Sequence, residues 1–149
     1  MAKRKAPTVL KLDFAPQKEQ GFVGVVEDLH LDPTKTPFKI KSGTYTLISA
    51  AHIVHTIGRG KPFIEWMNEC WRILKVGGQM RISSPYAGNT SYWSDPRSVN
   101  GITAQTFFYF DPLHPLGLYN TFKPKPWELG PVYFQQEGMV EVLLTKRAE

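Results

Sequence analysis

Hydrophobic and polar positions along this chain follow two different periods, and the change between them marks out the elements. Residues 8–15, TVLKLDFA, alternate and then run apolar, which predicts a buried strand; GFVGVVEDLHL predicts a second, from about Phe22 to Leu29. Two prolines make DPTKTPF a loop. YTLISAAHIV, residues 45–54, is β-branched, aromatic and apolar on both parities, as expected of a central strand covered on both faces. From Lys61 to Val76 the period lengthens: Phe63, Trp66, Met67, Cys70, Ile73 and Leu74 recur at three and four, with Glu65, Asn68, Glu69 and Arg72 opposite. That spacing predicts a helix, with Pro62 in its first turn and Gly77-Gly78 as its stop.

QMRISSPY then reads as a strand, so that strand, helix and strand form a parallel crossover unit. Residues 87–102 read as a polar loop, and TAQTFFYF as a short helical or extended segment with Thr103 as its N-cap. The proline-rich run DPLHPLGLYNTFKPKPW predicts a long loop. ELGPVYFQQEGMVEVLLTKR predicts a hairpin turning at QQEG.

A chain of 149 residues, 42% hydrophobic and 21% charged, suits one domain. We assign residues 1–7 to a basic tail and 8–147 to a single domain. Lys3, Arg4 and Lys5 carry three of the five net positive charges, which leaves the body mildly basic. The tail permits a nucleic-acid partner, yet no basic face interleaved with aromatics indicates one. No apolar run is long enough to span a bilayer, and the basic start lacks the apolar core of a signal peptide, so a cytoplasmic protein is expected. The single Cys70 lies within the helical pattern and reads as a small buried hydrophobe. His52 and His55 stand three apart, but no clustered Cys, Asp or Glu completes a ligand set, and no metal is expected.

The run FIEWMNECWRILKVGGQMRISSPY followed by WSDPRSVNGITAQTFFYFDP resembles class I S-adenosylmethionine-dependent methyltransferases, especially the compact versions found in bacteriophage genomes. The family's R-x-L-K-P-G-G and D-P-x-H…T…F pattern is matched by Arg72, Leu74, Lys75, Gly77, Gly78, Asp95, Pro96, Thr103 and Phe107; Val76 and Ser98 depart from it. The resemblance covers residues 9–147 and is firmest over 61–111. It implies a trimmed, Rossmann-like, doubly wound α/β sheet of the class I methyltransferase type with a C-terminal antiparallel hairpin. It also implies S-adenosylmethionine as cofactor, bordered by Asp13, Asp28 and His52, and an acceptor bordered by Tyr86 or Asp95. A pocket lined by Ser84, Tyr86, Trp93 and Asp95 is the corresponding expectation.

The family's L-x-L-G-x-G loop would follow Leu10–Phe14, where this chain has Ala15 and Pro16, and Gly24–Val26 stands where glycine, a hydrophobe and aspartate are usual. Proline offers no N–H, and Cβ atoms hinder the close approach that glycine permits. A weak or degenerate hold on the cofactor follows. The alternative is an inactive pseudo-methyltransferase of viral origin, working in the host cytoplasm as a structural or protein-interaction module, with a homo-oligomer as one form of it.

Overall fold

The computed structural model describes residues 9–12, 26–27, 34–135 and 138–149. Among the described residues six strands form one sheet: β1 (Val9–Leu12), β2 (Val26–Glu27), β3 (Tyr45–Ala51), β4 (Leu74–Pro85), β5 (Trp127–Gln135) and β6 (Met139–Lys146), in the order β2-β1-β3-β4-β6-β5. β1 pairs in parallel with both β2 and β3, and β3 in parallel with β4. β6 inserts antiparallel beside β4, with β5 antiparallel beyond it as the edge. This is the Rossmann-like α/β sheet with a C-terminal antiparallel hairpin that the resemblance implies. The chain builds outward from β1 to β2, then returns to β1's other side with β3. That reversal makes the β1–β3 boundary a topological switch point, where open α/β sheets bind ligands beyond the strands' carboxyl ends.

Helix α1 (Lys61–Ile73) crosses from β3 to β4 and buries Phe63, Trp66, Met67, Cys70 and Ile73, the stripe expected from its period. Phe63, Met67 and Ile73 each contribute about 1.5–3 kcal/mol by leaving water. Arg72 and Glu69, on its outer side, tie down the segment before β3. Glu69 accepts from the Phe38 N–H at 2.9 Å and pairs with Arg72, whose guanidinium donates to the carbonyls of Ile40 at 2.7 Å and Phe38 at 3.1 Å.

The helix stops three residues earlier than expected, and Gly77-Gly78 is not its stop. Leu74 is already extended and pairs with Tyr45. The terminal carbonyls find partners outside the helix: Gly43 N–H donates to Arg72 O, Thr44 N–H to Ile73 O, and the Lys146 ammonium to Leu74 O at 2.7 Å. The glycines instead form a bulge in β4, where residues 75–78 oppose Thr46 alone, between the pairs Tyr45–Leu74 and Leu47–Gln79. A Cβ at Gly78 would stand 2.7 Å from Lys75 O and 3.3 Å from Thr46 O, so any side chain there forces the backbone to shift.

β3 likewise ends at Ala51, short of Val54, because residues 54–56 turn into a 3-10 helix. The loop after β4 contains a short helix, α2 (Thr90–Ser94), capped by the Asn89 side chain. Thr103 caps a 3-10 segment, Ala104–Phe110, through a capping box with Thr106. The proline-rich run carries one further 3-10 turn, Leu118–Thr121. Residues 1–7, the loop APQKEQ, most of the stretch Phe22–Leu29 and the centre of QQEG lie outside the described residues. No helix among the described residues is long and apolar enough to cross a membrane.

Candidate functional site at the carboxyl edge of the parallel strands

Because β1, β2, β3 and β4 run in parallel, their carboxyl ends share one edge of the sheet. Of the residues expected there, Asp13 and Asp28 follow β1 and β2 directly in sequence and lie outside the described residues. His52 follows β3. It is exposed and left-handed, with φ of 58°, and its backbone N–H donates to Ser83 O at 2.9 Å. A non-glycine residue in this conformation is uncommon and costs about 1 kcal/mol or more. The imidazole has no hydrogen-bond partner among the described residues.

Tyr86 follows β4. Its N–H donates to Gly138 O at 2.8 Å, and its half-buried ring meets Phe134 edge to face at 5.3 Å. Gly88 makes room for that ring, since a Cβ there would lie 2.5 Å from Tyr86 Cε1. The Tyr86 hydroxyl has no hydrogen-bond partner among the described residues.

The other three residues of the expected pocket are engaged otherwise. Ser84 is fully buried, and its hydroxyl donates to Pro85 O at 3.2 Å. Trp93 is 75% exposed, its indole N–H donating to Ala87 O at 3.1 Å. Asp95 pairs with His55 Nε2 at 2.9 Å, and Arg97 adds Nη2 at 2.9 Å, Nε at 3.1 Å and its backbone N–H at 2.9 Å. The side-chain hydrogen bonds from Arg97 and then His55 hold the Asp95 carboxyl far below the usual carboxylate range. Both of its oxygens are occupied, so its observed work is to join residues 95–100 to the turn after β3.

His55 is the other half of that joint. Its imidazole is fully buried, and burial lowers its pKa against the opposing pull of Asp95. An ionised carboxylate can only accept, so Nε2 carries the proton and Nδ1 is left bare, with no partner among the described residues. The His55 carbonyl accepts from the N–H groups of Val99 at 2.8 Å and Asn100 at 3.0 Å, and Asn100 Nδ2 donates to Val54 O at 3.2 Å. Sequence reading set His55 beside His52 as a weak metal pair. In the structure one is exposed and the other buried, and no group of three His, Cys, Asp or Glu among the described residues is arranged to hold a metal. Forty residues separate His55 from Asp95, so no local spacing signals their pairing.

No protein-family model matches the sequence. Comparison with curated proteins likewise gives no match. Solved structures do match in fold. One, assigned as an S-adenosylmethionine-dependent methyltransferase of Listeria monocytogenes, superposes with a TM-score of 0.59 at 12% identity, over 96% of this chain and 92% of that one. The N-methyltransferase NodS of Bradyrhizobium japonicum, in complex with S-adenosylhomocysteine, gives a TM-score of 0.54 at 12% identity, over 83% of this chain and 55% of that one. The [4+2]-cyclase SpnF gives 0.53 at 11% identity, over 83% of this chain and 58% of that one. At such identities the likeness establishes a shared fold, that of the class I S-adenosylmethionine-dependent methyltransferases, and nothing about chemistry.

Proposed function

We propose that this chain is a methyltransferase-like protein that binds S-adenosylmethionine weakly at the carboxyl edge of β1, β2 and β3. One observation carries the reading: where the strand order reverses, His52 stands in left-handed backbone with its imidazole exposed. Strain of this kind, at the ligand edge of an open α/β sheet, marks a position whose side chain matters. On this reading Asp13 and Asp28 border the same crevice, and Tyr86 borders the methyl acceptor with a hydroxyl free to hydrogen-bond it. When bound, the cofactor supplies an electrophilic methyl group on a sulfonium. The chain's contribution is alignment, which methyl transfer chiefly needs. Asp95 is a positioning residue, holding residues 95–100 through His55 and Arg97.

Ala15 and Pro16 in place of glycines support weak binding, with a dissociation constant of about 1 mM, or about 4 kcal/mol. Titration calorimetry with S-adenosylmethionine and S-adenosylhomocysteine tests this. Heat is expected at millimolar ligand, reduced in His52→Ala and increased when Ala15 and Pro16 are both replaced by glycine. Absence of heat from all these chains would leave the second reading, an interaction module built on the same fold. Tyr133 and Phe134, exposed on the edge strand β5, favour that reading, and a solution mass above the monomer would support it.

A further inference from the structure

A cavity of about 280 Å³ opens at the N-terminus of α1, and of the candidate-site residues described above Asn100 lines it. Its walls are aromatic: Phe63 meets Phe110 edge to face at 5.7 Å, and Tyr109 leans on Phe122 at 5.8 Å. Polar groups without partners stand around these rings. Asn100, only 5% exposed, lines the cavity; its Nδ2 is taken by Val54 O, and its Oδ1 has no partner among the described residues. That oxygen is left able to accept a hydrogen bond from a donor in the cavity.

The rest of the rim is positive. α1 starts at Gly60 with no side-chain cap and no acidic residue in its first turn. Pro62 has no N–H, and those of Lys61 and Phe63 have no partner among the described residues. Arg59, exposed beside them, has no ion pair among the described residues. The larger groove beside Trp71, of about 540 Å³, makes no such demand, because Glu65, Glu69 and Lys125 are already paired with Lys61, Arg72 and Glu149.

We propose that the α1 cavity binds a small aromatic carboxylate that also carries a hydrogen-bond donor. The ring lies among Phe63, Tyr109, Phe110 and Phe122. The carboxylate faces Arg59 and the helix N-terminus, and the donor meets Asn100 Oδ1. The volume sits at the small end of ligand pockets and suits a single ring. This site is independent of the cofactor reading, and either can fail without the other.

The test is a chemical-shift titration of the nitrogen-labelled full chain with para-hydroxybenzoate, benzoate and para-hydroxybenzamide. We expect para-hydroxybenzoate to move the amides of residues 59–64 and 100–101 and to bind about tenfold more tightly than the uncharged amide. Benzoate, lacking the donor, binds severalfold more weakly than para-hydroxybenzoate. R59Q removes the preference for charge, and F122A weakens all three; both side chains are exposed, so the fold is kept. Equal binding of acid and amide, shifts confined to other residues, an unchanged preference in R59Q, or no shift at about 10 mM, where one-ring ligands bind if a site exists, would each overturn the proposal.

Discussion

Replacing His55 by glutamine tests the joint beneath the candidate site through the pH dependence of stability. The native imidazole is fully buried, and burial holds its pKa below the ordinary 6.5. In the unfolded chain it protonates near 6.5. Above that pH neither state takes the proton and His55 adds no slope. As pH falls below 6.5 the unfolded state binds more protons, so stability declines by at most about 1.4 kcal/mol per pH unit until the native pKa is reached, where the slope vanishes. Asp95 acts in a separate window. Its native pKa is depressed, so its contribution is present above the unfolded value of about 3.9 and is lost only as pH falls below it. Glutamine can keep a hydrogen bond to Asp95 while removing the titration. Urea unfolding of both chains, stepped from about pH 7.5 to 5, isolates His55 by difference, since every other group is common to both. The wild-type chain should lose stability below 6.5 more steeply than H55Q. Parallel curves would refute the claim that a buried neutral imidazole holds this loop.

Two further substitutions or probes follow from the packing. Gly78→Ala should lower stability by about 1–3 kcal/mol, at the upper end of that range because the atoms in its way, Lys75 O and Thr46 O, are backbone; the thermal midpoint reads it. Cys70, fully buried on α1 with its thiol pushed well above the ordinary range by burial, should react with a thiol reagent in the native protein only as fast as the protein opens, and at once in denaturant.

How much of this was legible in the sequence depends on how far apart the determinants lie. The stripe Phe63, Trp66, Met67, Cys70 and Ile73 announces α1 because period and burial coincide within thirteen residues. The Thr103 cap and the β5–β6 hairpin are equally local. The end of α1 was not legible: Lys146, 72 residues away, and the N–H groups of Gly43 and Thr44 satisfy its carbonyls, which frees Gly77-Gly78 to form a bulge. α2, with five residues, is too short to show a period. At the site, His52 was marked by resemblance alone, and nothing local hinted at its left-handed backbone. The His55–Asp95–Arg97 joint was missed because its partners come from two loops that only the folded sheet brings together.

The most direct test of the account is a crystal structure of the chain grown with S-adenosylhomocysteine. The adenosyl group is expected beyond the carboxyl ends of β1 and β3, in contact with His52. A ligand seated elsewhere, with that edge of the sheet bare, would contradict it.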